Sequence, residues 1–189
     1  MKIWNRKVSG IPAAIILLIS IIYNKILIKS NTLIHGKNLN KLGSNSKLYK
    51  NFQYRYPGQI SIGDNCIINK NVVFGSEFQD SKLIILDNVN ISENVFLDFS
   101  GDLTIGRGCT ISSNSKIYTH DHGLDPNSIP KKRKTIIGEN VWISTNVIIL
   151  QNVSQIGKNS IIAAGSVLSK DVPENSIFGG IPAKLIGKL

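Results

Sequence analysis

A six-residue period runs through most of this chain and narrows its fold more than any other feature. It is plainest in Ile137-GENVW, Ile143-STNVI, Ile149-LQNVS, Ile156-GKNSI, Ile162-AAGSV and Leu168-SKDVP. An aliphatic residue opens each hexad, Val or Ser holds the fifth position, and Gly, Asn, Asp and Lys collect between. Upstream the same frame gives Ile62-GDNCI, Ile68-NKNVV, Ile85-LDNVN, Ile91-SENVF, Leu97-DFSGD, Ile105-GRGCT and Ile111-SSNSK, with a fainter start at Ile34 and Leu42. Six is neither the helical period nor simple strand alternation. It suits a short strand and a tight turn, with one aliphatic residue per strand pointing inward. Three such strands make one triangular coil. Coils stacked at the strand spacing of about 4.8 Å fill a prism with aliphatic side chains. Asn and Gly fall at the turns, where positive φ is tolerated.

The frame breaks in a few places: one extra residue at Gln155, a two-residue slip after Leu103, and one long interruption. The hexad Ile117-YTHDH is followed by GLDPNSIPKKRKT before Ile137 restores the period. Long inserts on a solenoid are usually functional loops. Two of the three histidines, His120 and His122, lie at the base of this one, and the loop spans 123–135. Histidine titrates nearest neutral pH and so serves as a general base with the least tuning. Three hexads and the two-residue slip set Asp98 one coil beneath Tyr118, on the strand that leads to His120. That is a plausible distance for a carboxylate that orients an imidazole. Asp121 is the rival partner, but its adjacency makes a poor pair.

The formal net charge of +10 favours anionic company without choosing among nucleic acid, acidic lipid and a phosphate-bearing cofactor. The only dense basic run, Lys131, Lys132, Arg133 and Lys134, is too short for a nucleic-acid stripe and reads as a solvated loop. No nucleic-acid partner is expected. Cys66 and Cys109 occupy fifth positions of their hexads and read as buried, inert thiols. Residues 1–31 form a separate N-terminal element. Its apolar run from Ile11 to Tyr23 is preceded by Lys2, Arg6 and Lys7 and followed by Lys25 and Lys29. The run is shorter than the roughly 20 residues of a spanning helix, and no small-residue cleavage site follows it. Its apolar character on every side favours a helix on a membrane surface over one packed on protein. Residues 32–189 form the repeat domain.

The hexads, together with IYTHDHGLDP, the insert and IIGENVWI, resemble the hexapeptide-repeat acyltransferase family. The nearest branch is that of maltose, galactoside and surface-polysaccharide O-acetyltransferases. The resemblance implies an all-β, left-handed parallel β-helix with a short hydrophobic N-terminal helix. It also implies a homotrimer with active sites between subunits, acetyl-CoA as co-substrate, a saccharide acceptor and no metal. Matched onto the family's active-site passage, His120 is the base and Asp98 its orienting partner; His122 is the alternative base or, with Tyr118, shapes the acceptor pocket. Thr145, Ala164 and Ser169 match positions along a pantetheine groove, and Lys170 and Lys184 match basic positions near the coenzyme's phosphates. Trp142 matches a common position but receives no chemical role. The expected reaction is acetyl transfer to a saccharide hydroxyl in surface-polysaccharide synthesis, in the cytoplasm and peripheral to the inner face of the cell membrane. Alternatives are N-acetylation of an amino sugar and a non-catalytic scaffold. A zinc enzyme of the γ-carbonic anhydrase type is disfavoured, because its histidine ligands would have to be His35, His120 and His122, and His35 lies several coils away.

Overall fold

The computed structural model describes residues 13–189. The expected β-helix architecture is present: a parallel solenoid of about seven turns preceded by one helix. Its strands form three parallel faces. The first runs from Lys41–Leu42 to Gln155–Ile156, the second from Lys47–Leu48 to Ile161–Ile162, and the third from Gln53–Tyr54 to Val167–Leu168. Register follows the period, with Ile91 beside Ile111, Ile111 beside Ile143, and Leu97 beside Ile117.

The aliphatic residue of each hexad forms the core. Ile62, Ile68, Ile91, Leu97, Ile105, Ile111, Ile117, Ile143, Ile149, Ile156, Ile162 and Leu168 are fully buried, each contributing on the order of 1.5–3 kcal/mol of hydrophobic transfer. Fifth positions are buried too, so they must be small or satisfied. Ser115 donates to Ser144 O at 2.8 Å and Ser160 to Pro173 O at 2.9 Å. Burial pushes the Cys109 thiol up to about 11 and raises Cys66 as well.

The three edges of the prism are not alike. On the edge between the first and second faces every step is one hexad, as from Ile62 to Ile68 or Ile137 to Ile143; the same holds between the second and third faces, as from Ile111 to Ile117. Both edges turn through left-handed residues, Asn45, Asn65, Asn88, Asn140, Asn159 and Asn175 on one and Asn51, Asn71, Asn94, Asn114 and Asn146 on the other. Their amides bond from coil to coil, Asn71 to Asn94 at 3.0 Å and Asn94 to Asn114 at 3.2 Å. Every departure from the period falls on the third edge, between the third and first faces. There the steps run from Phe74 to Ile85, Leu97 to Ile105, Ile117 to Ile137 and Ile149 to Ile156. The slip expected after Leu103 lies ahead of it, in the turn at 99–102, because Leu103 already pairs with Leu83 and Thr135.

The helix Ala13–Gly36 continues past residue 31. Ile34 is therefore not the start of the repeat: it is an exposed helical residue, and the first strand begins at Lys41. Ala13 to Ile26 is exposed on every side, whereas most of the stretch from Leu27 to Gly36 is half-buried against the first coil. There Thr32 Oγ1 accepts from the Leu48 N–H at 2.9 Å. A side chain at Gly36 would strike Leu42. Among the described residues this helix is long and apolar enough to cross a membrane, with a mean hydropathy of 1.8 over its most apolar window. The flanking Lys2, Arg6 and Lys7 lie outside the described residues.

Candidate active site

The irregular third edge carries a cluster of titratable groups. Asp98 ends the strand Phe96–Asp98 and stacks between Gly75 on one side and the residue after Ile117 on the other. It is 2% exposed, and its carboxylate accepts from donors on its own turn and on the next coil. Ser100 N and Oγ donate to Oδ1 at 3.1 and 2.5 Å, and Thr119 N and Oγ1 donate to Oδ2 at 2.6 and 2.9 Å. The remaining partner is His120, whose Nδ1 lies 2.9 Å from Asp98 Oδ2. A carboxylate can only accept, so Nδ1 carries the proton and Nε2 is left to face outward.

Close approach of the backbone makes this possible. Gly101 donates its N–H to Thr119 Oγ1 at 2.9 Å, and a Cβ at residue 101 would overlap Thr119 O and the Arg133 backbone. The long insert leaves the edge as an antiparallel pair, His120–Asp121 with Lys131–Lys132. It is pinned to the insert at 76–82 by Lys132, whose Nζ lies 2.6 Å from Asp80 Oδ1 and 4.7 Å from the centre of the Phe78 ring. The Lys132 hydrogen bond and charge hold the Asp80 carboxyl below its usual range. Lys131, Lys132, Arg133 and Lys134 are all exposed.

His122 packs edge-on against His120, with ring centres 5.1 Å apart. Its Nδ1 lies 2.9 Å from Ser128 O, another group that only accepts, so its Nε2 also faces outward. Both Nε2 atoms lie 3.5 Å from the same oxygen, Glu77 Oε1. Beside them opens a crevice of about 520 Å³ whose walls include Gln53, Tyr54, Arg55, Phe96, Asp98 and His120. Tyr118 is not on its wall; it touches Phe96, at 5.8 Å between ring centres.

Glu77 was not foreseen from the sequence. The signal for it was the eleven-residue step from Phe74 to Ile85, on the same edge as the histidine insert. The residues matched to a donor groove are divided. Ser169 and Lys170 follow the strand Val167–Leu168 on the edge of His120, two coils further along. Thr145 and Ala164 stack on the neighbouring asparagine edge, where Gly165 N donates to Thr145 O at 2.9 Å. Lys184 lies exposed on the closing strand Ala183–Lys188. One chain therefore does not bring the whole set together.

Comparison with known proteins bears on the fold and the family. Residues 134–170 match the family model described as bacterial transferase hexapeptide, six repeats. A protein of Escherichia coli K12 named for lipopolysaccharide biosynthesis O-acetyl transfer, WbbJ, is 32% identical over 71% of this chain and 74% of its own length. The galactoside O-acetyltransferase of the same organism is 31% identical over 78% of this chain and 63% of its own length. Several curated relatives are thus spanned over less than two thirds of their length. Among solved structures, the hexapeptide-repeat acetyltransferase VCA0836 of Vibrio cholerae, complexed with acetyl coenzyme A, is 28% identical with a TM-score of 0.61, covering 95% of this chain and 91% of that one. The Bacillus cereus N-acyltransferase AntD, complexed with dTDP and 3-hydroxybutyryl-CoA, shares the fold with a TM-score of 0.74 at 23% identity, covering 86% of this chain and 89% of that one. On the strength of its repeat, its solenoid and these relatives, the chain belongs to the hexapeptide-repeat acyltransferase family.

Proposed function

We propose that this protein transfers an acetyl group from acetyl-CoA to a hydroxyl of a saccharide, in the synthesis of a surface polysaccharide. The observation that carries the reading is the Asp98–His120 pair, in which buried Asp98 engages Nδ1 and His120 stands on the crevice wall. His120 Nε2 takes the proton of the acceptor hydroxyl as its oxygen bonds to the thioester carbon. A backbone N–H stabilises the tetrahedral oxyanion. Collapse breaks the carbon–sulfur bond, and the imidazolium returns its proton to the departing thiolate. Asp98 positions the ring and stabilises its cationic state through the transfer. The relatives named for O-acetyl transfer support the hydroxyl as acceptor.

The division of Thr145 and Ala164 from His120 supports a homotrimer, in which the asparagine edge of one chain lies beside the irregular edge of the next. Ser169, Lys170 and Lys184 then line the coenzyme's path, with the lysines toward its phosphates, and His122 contacts the acceptor. The exposed apolar stretch Ala13 to Ile26 supports membrane attachment at the cytoplasmic face, where acetyl-CoA and a growing saccharide meet. In an assay of acetyl-CoA with galactoside acceptors, His120→Ala is expected to lower transfer by about 10²-fold or more, with circular dichroism unchanged. A retained rate in the folded variant overturns the mechanism.

A further inference from the structure

Three potential ligand atoms, one each from Glu77, His120 and His122, converge at the mouth of the crevice. Asp98 fixes the proton of His120 on Nδ1 and the Ser128 carbonyl fixes that of His122 on Nδ1. Both rings are thus oriented with Nε2 toward the same oxygen of Glu77, each at 3.5 Å. One ligand atom from each residue falls within 4.8 Å of the other two. Tetrahedral zinc with bonds of about 2.0–2.2 Å sets its ligands about 3.4 Å apart, close to the two Glu77–histidine separations. The second layer fits as well, since a ligating histidine characteristically donates its other N–H to a carboxylate or a backbone carbonyl. The tether between Lys132 and Asp80 joins the two inserts that supply the ligands.

We infer that Glu77, His120 and His122 form a binding site for a divalent transition-metal ion, zinc above others, and that its occupancy silences the enzyme by taking the lone pair of the base. The silencing rests on the proposed role of His120; the site itself does not. Two histidines and one carboxylate neutralise only part of the ion's charge and leave a fourth position for water. Calcium and magnesium are disfavoured, because imidazole nitrogen suits zinc and its neighbours and hard cations take oxygen. Buried Cys66 and Cys109 do not compete, their thiols being held protonated by burial.

The test uses the full chain and zinc ions alone. Equilibrium dialysis is expected to saturate at one zinc per chain, and Glu77→Gln and His122→Ala are each expected to weaken binding by at least about tenfold. His35→Ala, far from the cluster, leaves binding intact. Bound zinc is expected to protect His120 and His122 from acylation by diethyl pyrocarbonate, read residue by residue by mass spectrometry. Absence of saturable binding, full affinity in both variants, or unprotected histidines at saturation each overturn the site. None of these measurements requires acetyl transfer, so a failed site and a failed activity are told apart. If the chain does transfer acetyl groups, zinc must inhibit and a chelator must restore the rate; transfer undiminished at saturating zinc overturns the silencing.

Discussion

Two edges of this prism keep strict time and the third does not, and the contrast separates what holds the molecule up from what it does. On the regular edges each turn repeats the one beneath it, with a left-handed asparagine or, at Gly108 and Gly165, a glycine, and a buried residue following. On the irregular edge the inserts at 76–82 and 118–134 leave the stack, meet each other through Lys132 and Asp80, and set three side chains around one point. A solenoid is stabilised between nearest neighbours, so an edge may vary in length wherever the faces on either side stay in register. Regularity on two edges permits variation on the third.

The sharpest way to break this contrast is to insert one residue into each kind of edge. An alanine added after Asn114 moves Lys116–Ile117 by one position and turns its buried side chain outward. The expected loss is on the order of 4–5 kcal/mol or more. The same addition after Gln151, in the turn at 150–154, is expected to cost less than about 1 kcal/mol, because a slightly longer loop adds little closure entropy. Equal losses in denaturant titration would show that the edges do not differ. A second comparison replaces Asp98 by Asn, which removes the charge that stabilises the imidazolium and puts an amide donor among groups that already donate. Transfer is expected to fall by about 10²-fold or more, roughly 2.7 kcal/mol of barrier, by loss of assisted proton transfer, while the circular dichroism of the coils persists. The smallest effect belongs to a single rung of the ladder. Asn94, at φ 58°, bonds on both sides, and Asn94→Ala is expected to cost about 1–2 kcal/mol for a side chain forced into the left-handed region. Asn94→Gly, which removes the same bonds but not the backbone freedom, is expected to cost less. If Gly proves as damaging as Ala, the amide ladder rather than the turn conformation is what stabilises this edge.

Much of this was readable in the residues. Ile62 through Leu168 lie in the core where the hexads put them, because a buried column on a rigid period has nowhere else to go. The stacking arithmetic that set Asp98 beneath Tyr118 agrees with the pairing of Leu97 with Ile117. The first coil was harder. Ile34 is an aliphatic residue at a spacing that imitates a hexad, but it belongs to a helix whose apolar residues point in every direction. Glu77 was invisible for a different reason: a single carboxylate in a break has no period, and its place near His120 exists only once two inserts fold over the same edge. Tyr118 fell on the right strand, yet the crevice is lined by the coil below it, through Phe96.

A stack of parallel strands has no natural end. Its first and last coils would otherwise offer bare rows of N–H and C=O to any other copy, the situation from which fibres grow. Here the lower end is met by the helix, whose Thr32 hydroxyl accepts from the Leu48 N–H. The upper end is met by Ala183–Lys188, which folds back against Ser176–Gly180 in the opposite direction and so breaks the parallel template. The N-terminal helix is thus a stopper as well as an apolar arm, guarding one end of the stack against polymerisation.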